Sequence, residues 1–530
     1  MNMINYIKKK IAKKKAKYQQ RNFTSAKKQF ANDLTYFIPN TPNENTGIVL
    51  IQLVKDYEYL VKLLASAKAI AEDKNLKINF YDVSWTAHIG WGKFRKKTSF
   101  FKSKPVLEKV IGKLNSEVIF YCEDVFENQN LIKSKLTEIL KNLNSPEDLL
   151  KLKFESIEVG DLIYDTYLRY FHQVDVKEIN NEIEKIIEIA LNIYYNFKET
   201  LSKHPIKALV NTYTTYIEHG ITARICLEEG IDVYTVGSFS YRIQKITKDF
   251  PYHQINHTLF SPNKDIKSAQ LKTAENIITS RFTGKIDAAT SYMRASAFKI
   301  QALNEDVKKL FEINKRNIII YPHCFYDSQH INRQLLYPNL YQYLEQLLQN
   351  LISIENTSVF IKPHPNGIEG TKEKTIDLVK SFNVAHFHIL DETVSNNNII
   401  DLKPDLICTY RGTVGLEMAY FNIPTVALND NMYVNFNFVH TCNSIEEYYA
   451  IVKGEKETSI NFDKNQIYSF YYQAYLDKLA TFDDTEIMKL LHSFNGATYN
   501  DNYLTHLKSN NFNYSELFAS YLNGYNLTKN

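Results

Sequence analysis

The second half of this chain alternates short apolar runs with helical patterns, and few folds accept that alternation. Asn317–Tyr321, Ser358–Ile361, Asp405–Thr409 and Thr425–Leu428 are brief and almost uniformly apolar. They read as strands buried on both faces rather than on one. Val384–His386 reads as a further short strand, and the patterns over 335–354, 372–381 and 413–421 read as helices. Strands separated by helices run parallel, because a crossover is needed to return the chain to the same end of the sheet. The expected product is a doubly wound sheet covered by helices on both faces. Gly47–Val54, Lys77–Val83, Ser116–Cys122, Ile206–Asn211 and Val233–Val236 repeat this grammar as strands in the first half. Helical patterns lie over 57–73 and 220–229, and residues 127–205 are mostly helical. Residues 238–290 show no clear periodicity.

At 530 residues the chain exceeds one ordinary core. The fold class is therefore α/β, with two Rossmann-like doubly wound domains facing a cleft. The expected divisions are a basic N-terminal helix over 1–40 and an N-terminal Rossmann-like domain with a helical insertion over 41–290. A C-terminal Rossmann-like domain follows over 291–455, and a helical C-terminal tail over 456–530. The formal net charge is only +4, which argues against a nucleic-acid partner. The five cysteines are scattered without a Cys-x-x-Cys pair, which argues against a disulfide framework or a zinc site and fits a reduced cytoplasm. No apolar run reaches the roughly 18 residues a membrane span needs. Positive charge concentrates in residues 8–28, which hold no acidic residue, beside Met3, Ile4, Ile7 and Ile11 at helical spacing. Two readings stand: a solvated helix, or an amphipathic helix that rests peripherally on an anionic inner membrane surface through residues 1–28.

Chemistry-bearing residues gather where strands end. Lys362-Pro363-His364-Pro365 follows an apolar strand, and two prolines hold the histidine in one orientation. Arg411-Gly-Thr-Val-Gly-Leu-Glu417 is a strand–turn–helix unit. Gly412 and Gly415 let backbone approach a ligand, Thr413 caps the helix or donates to a phosphate oxygen, and the Glu417 carboxylate suits ribose hydroxyls. His323 and Asp327 follow the first strand of the second domain and are candidates for phosphate contact and acid–base work. A metal reading of His323, Asp327 and His330 lacks a second ligand cluster. In the first half, Glu158–Arg169 mixes tyrosine, acid and arginine as polyhydroxylated ligands require, and Glu218 and His219 open a helix after a strand. Glu218, His219 or Asp161 are candidates for the base that an acceptor hydroxyl needs.

The Lys-Pro-His-Pro strand end, the Arg-Gly-Thr-Val-Gly-Leu-Glu helix start and the His-Cys-Phe-Tyr-Asp loop resemble the C-terminal domain of GT-B glycosyltransferases. The likeness is to capsular and surface-polysaccharide biosynthesis proteins, whose relatives include Kdo transferases, sialyltransferases and CDP-glycerol glycerophosphotransferases. The resemblance implies that His364 contacts the donor phosphate, and the strand-end residues Lys362, Arg411 and His323 are read from the sequence itself as further phosphate-binding candidates. It implies that Gly412, Thr413 and Val414 cap that phosphate and that Glu417 holds the ribose. The expected activity is metal-independent transfer of a sugar from a CMP-, UDP- or GDP-linked donor to a capsular or other surface glycan. The acceptor is then a glycan or lipid-linked glycan, and no cofactor is expected beyond the nucleotide sugar. A CDP-activated polyol-phosphate transferase shares this donor site. A non-catalytic polysaccharide-assembly or nucleotide-sugar-binding subunit is the alternative of another class.

Overall fold

A computed structural model describes residues 38–39, 47–54, 57–83, 111–236, 243–254, 256–290, 296–298, 305–311, 315–331, 335–364 and 367–476. The basic segment 1–28 and the tail beyond 476 lie outside the described residues. The chain divides into two compact units. Of the described residues, unit one takes 47–136 and 188–253, and unit two takes 137–187 and 254–476.

Unit one is built on β1 (Ile48–Leu53), α1 (Tyr57–Lys74), β2 (Lys77–Asp82) and β3 (Val118–Tyr121). The helices α2 (Gln129–Asn142), α3 (Pro146–Leu150), α4 (Gly160–Phe171) and α5 (Asn181–Lys203) follow, with a two-strand hairpin of β4 (Lys153–Phe154) and β5 (Ile157–Glu158) before α4. The chain re-enters unit one within α5, at Glu188, and continues through β6 (Ile206–Asn211), α6 (Tyr216–Glu228), β7 (Asp232–Val236) and β8 (Ile243–Ile246). Its sheet has the order β3-β2-β1-β6-β7-β8. Every residue of β1 is buried, as befits a central strand. The expected strands are present and parallel, but β8 pairs antiparallel to β7 and was not legible in the sequence.

Unit two holds α4 and continues with α7 (Ser268–Phe282), α8 (Glu305–Leu310), β9 (Arg316–Tyr321) and α9 (Leu340–Asn350). Next come β10 (Thr357–Ile361), α10 (Thr371–Phe382), β11 (Phe387–Ile389), α11 (Asn396–Leu402) and β12 (Leu406–Thr409). The last elements are α12 (Val414–Tyr420), β13 (Thr425–Leu428), β14 (His440–Cys442), α13 (Ile445–Lys453) and α14 (Lys464–Tyr471). All six strands are parallel, in the order β11-β10-β9-β12-β13-β14, which is the doubly wound order of a Rossmann sheet.

The period-two rule is visible across that sheet. Ile318, Ile320, Val359, Ile361, Leu406 and Cys408 join one core with Leu344, Leu347 and Leu348 of α9. The intervening Ile319, Phe360 and Ile407 join the opposite core with Met418 of α12. Residues of α14 pack with α7 in a third cluster of the same unit. Three expectations shift in register. The helix expected over 335–354 begins after Asn339, whose side chain accepts the Gln342 N–H at 2.8 Å and caps it. The strand expected at Val384–His386 lies at Phe387–Ile389. The aperiodic stretch 238–290 contains α7 as well as β8. Among the described residues, no helix is long and apolar enough to cross a membrane.

Gly160 opens α4 against the end of α3. A Cβ there would sit 1.9 Å from the Leu149 carbonyl oxygen and 2.6 Å from that of Leu150. Gly160→Ala should therefore lower stability by about 1–3 kcal/mol, read as a fall in the urea midpoint. An unchanged midpoint would contradict this contact.

Candidate functional site

Three neighbouring strands of unit two end at one level. Ile361 of β10 lies beside Ile320 of β9, and Thr409 of β12 lies beside Tyr321. Continuing those registers sets Lys362 beside Tyr321 and Arg411 beside His323. Here the strand order reverses about β9, and a crevice opens at the carboxyl ends of a doubly wound sheet at such a point. The sequence thus delivers Lys362, His364, His323 and Arg411 to one sheet end.

Lys362 is 2% exposed, and its Nζ stands 5.5 Å from the Tyr321 ring centroid. Among the described residues its ammonium has no hydrogen-bond acceptor; the Glu417, Glu392 and Asp391 carboxylates act on it only through their fields. Burial pushes its pKa down to about 8, so the side chain is still mostly charged at neutral pH. Holding that charge inside costs the fold roughly 3 kcal/mol.

The two histidines behave differently. His323 Nε2 accepts the Arg411 backbone N–H at 3.0 Å, so the neutral ring carries its proton on Nδ1. Burial brings His323 down to about 3, with Arg411 and His364 adding to the effect. His364 falls to about 4 through burial and then Lys362, while Asp327 opposes the fall. Both rings are therefore neutral near pH 7 and able to offer an N–H. The Arg411 guanidinium donates from Nη2 to the Gln329 carbonyl at 2.8 Å. Asp327 is exposed, and its Oδ1 accepts the Ser328 N–H at 3.0 Å.

The helix start differs in detail from its expected roles. Thr413 already has helical backbone angles and makes no side-chain cap; its Oγ1 lies 3.5 Å from Glu417 Oε1. Gly415 makes room for protein, since a Cβ there would meet Tyr433 Cε2 at 2.7 Å. The Tyr433 hydroxyl donates to the Gly412 carbonyl at 2.8 Å and so fixes the turn. Val414 is buried in the core. Glu417 is 4% exposed and tied on both oxygens: Arg281 Nη1 donates to Oε1 at 3.1 Å and Asn396 Nδ2 to Oε2 at 3.0 Å. Arg281 also grips Asp287 through Nε at 2.6 Å and Nη2 at 2.8 Å. Burial raises the Glu417 pKa while Arg281 holds it back. Arg281, Asp287 and Asn396 escaped the sequence reading. The one signal was Ala274, Ile278 and Arg281 at helical spacing, which places a charged residue on the buried face of α7.

Glu218 and His219 lie in unit one, at the equivalent reversal between β1 and β6. Gln52 Oε1 accepts the Thr212 N–H at 3.0 Å and its hydroxyl at 2.8 Å, which identifies the other Gln52 terminus as the amide donor. That donor lies 2.7 Å from His219 Nδ1. The His219 lone pair is therefore engaged, its proton sits on Nε2, and burial lowers its pKa to about 3. As placed, His219 is a hydrogen-bond donor rather than a base. Nε2 stands 3.7 Å from the buried Glu218 carboxylate.

His323, Asp327 and His330 do not form a metal cluster. His323 Nε2 takes the Arg411 amide, and both His330 nitrogens face Asp165 and the Pro338 carbonyl. His440, Cys442 and Glu447 do bring ligand atoms within 4.8 Å of one another. His440 Nδ1 accepts the Ser459 N–H at 2.8 Å, however, so Nε2 carries the proton in the neutral ring. A metal-binding histidine instead donates from its second nitrogen, and Glu447 is already held by Lys456 at 2.5 Å. This donor set does not suit a cation. Asp161, Asp165 and Tyr164 of the Glu158–Arg169 segment lie on or within α4 in unit two.

No family model and no curated protein matches this chain. Among solved structures it is similar to the KpsC β-Kdo 2,4-transferase of Thermosulfurimonas dismutans, at 8% identity over 51% of this chain and 80% of that one, with a TM-score of 0.31. It is also similar to the UDP-GlcNAc 2-epimerase of Methanocaldococcus jannaschii, at 13% identity over 79% and 97%, with a TM-score of 0.25. A third likeness is to the wall teichoic acid polymerase TagF, at 10% identity over 93% and 98%, with a TM-score of 0.21. Overlaps this loose assign no role to any residue.

Lys362 gives the apoprotein a pH signature. Its folded pKa of about 8 lies below the ordinary 10.5, so the unfolded chain binds the extra proton between those values. Stability should rise with pH across that window, and the contribution is lost as pH falls through about 8. Lys362→Met should abolish the rise and leave the neutral-pH midpoint equal or higher. Parallel pH profiles of wild type and variant would contradict the buried charge.

Proposed function

We propose that this chain is a GT-B-type glycosyltransferase that takes a sugar from a nucleotide-activated donor to a capsular or other surface glycan. The observation that carries this reading is the buried Lys362, for whose ammonium the described residues offer no acceptor, beside His364, His323 and Arg411 at the strand-order reversal of unit two. A site with two cations and two neutral imidazoles suits a nucleotide phosphate, which brings several acceptors and negative charge.

In the proposed reaction the bond from the anomeric carbon to the donor phosphate oxygen breaks, and its electron pair stays on the phosphate. The acceptor hydroxyl oxygen bonds to the anomeric carbon and gives its proton to a base. Lys362 and Arg411 offset the charge that grows on the leaving phosphate, and His323 Nδ1–H donates to one of its oxygens. Our candidate for that base in unit two is Asp327, an exposed carboxylate whose field reaches His364. Glu417 serves this site through the Arg281 network, with its remaining lone pairs available to a ribose hydroxyl.

Thermal shifts with CMP, CDP, UDP and GDP test the reading. One of them should stabilise wild type, by about 2.7 kcal/mol at a hundredfold excess over Kd. Lys362→Met and His364→Ala should each lose that gain while folding normally. No shift with any of the four would overturn the donor site.

A further inference from the structure

Helix α4 and the loop 322–331 belong to the same unit and are joined by a buried ion pair. His330 Nδ1 lies 2.7 Å from Asp165 Oδ1, and the His330 backbone N–H donates to Oδ2 at 3.1 Å. The other ring nitrogen, Nε2, is 3.1 Å from the Pro338 carbonyl oxygen. A carboxylate and a carbonyl can only accept, so a ring satisfied by both carries both protons. With Asp165 as the carboxylate, this geometry favours an imidazolium at His330. Asp165 is 2% and His330 5% exposed, and every polar atom of the ring is engaged. Such a pair has no access to a substrate and is not an acid–base dyad.

Its effect falls instead on Arg411. Gln329 immediately precedes His330, and its carbonyl accepts Arg411 Nη2 at 2.8 Å. The Gln329 side chain is fixed as well, donating to the Phe325 carbonyl at 2.6 Å and accepting the Leu340 N–H. The Arg411 amide then fixes the tautomer of His323. A short chain of bonded groups thus runs from α4 to the cation and the imidazole at the sheet end.

We infer that Asp165 and His330 are positioning residues of the anion site, holding the Gln329 carbonyl where it orients the Arg411 guanidinium. What that site binds rests on the function proposed above; the positioning does not. The segment Glu158–Arg169, which reads in sequence as a sugar-binding surface, thereby acquires a different task. Asp165 anchors the loop, the Tyr164 hydroxyl joins Asn339 and Asp175, and the Tyr167 hydroxyl accepts from Asn180. The groups around His330 agree. Asp165 and Asp161 face it from α4, the Tyr164 ring packs edge-on at 5.2 Å, and Asp175 lies beyond Tyr164. Burial opposes the imidazolium charge, but the two aspartates and the Pro338 carbonyl raise its pKa above the ordinary value.

The test is a double-mutant cycle on affinity, read by calorimetry with whichever of CMP, CDP, UDP or GDP stabilises wild type. Asp165→Asn should weaken binding at least about tenfold, about 1.4 kcal/mol, in the wild-type background. In an Arg411→Ala background the same change should cost less than about twofold, because its route to the ligand is gone. Equal losses in both backgrounds, or none in the first, would overturn the proposal. The pair Asp165→Asn/His330→Gln, which strands no buried charge, repeats the measurement should the single variant unfold. If wild type binds none of the four nucleotides, the functional reading fails, and side-chain NMR of unliganded protein decides the positioning. The Arg411 guanidinium resonance should then move in Asp165→Asn, and His330 should show both ring N–H protons at pH 7 only while Asp165 is present. An unmoved Arg411 resonance would sink it.

Discussion

A buried lysine, for whose ammonium the described residues offer no hydrogen-bond acceptor, is the constraint around which this end of the unit-two sheet is arranged. Lys362 is held almost wholly inside, because it leaves a fully buried strand and is followed by Pro363. The fold tolerates the charge because Tyr321 presents a ring to it and Glu417 acts on it through space. Burial pushes the Glu417 carboxyl up, Arg281 and Asn396 hold it back, and Arg281 is balanced by Asp287. Buried charges of this kind are poor sources of stability, since well-packed apolar residues often do as well or better. Their presence together at one sheet end therefore points to a ligand rather than to folding.

The histidines show how much the backbone decides. His323, His219 and His440 each accept an N–H on one nitrogen, which sets the position of the proton on the other. His330 faces the Asp165 carboxyl at one nitrogen and the Pro338 carbonyl at the other, which favours its charged form. Residues of one type thus differ in which nitrogen carries the proton and in what the other nitrogen meets. Spacing in sequence carries none of these distinctions.

Much of the fold was legible because parallel buried strands have a blunt signature. The runs at 317–321, 358–361, 405–409 and 425–428 are the strands β9, β10, β12 and β13 to within a residue. The strand ends also gave away Lys362, His364, His323 and Arg411, since polar residues after a buried strand have one crevice to enter. Features that depend on tertiary contacts stayed hidden. Strand β14 has three residues, and β8 runs antiparallel at an edge, so neither had the length or apolar content to stand out. Helix α7 hid because its buried face includes Arg281, whose charge masks the periodicity. Gly415 looked like a ligand contact, and the ring it accommodates is Tyr433, 18 residues further on. Asp165 was not singled out within Glu158–Arg169 because its partner, His330, is 165 residues away.

The most direct measurement of the central claim is a crystal structure with a nucleoside diphosphate bound, chosen as the one that stabilises the protein most. The account predicts diphosphate oxygens within hydrogen-bond distance of Lys362 Nζ and His323 Nδ1, with the Arg411 guanidinium still on the Gln329 carbonyl. A nucleotide seated elsewhere, with Lys362 still lacking an acceptor, would contradict it.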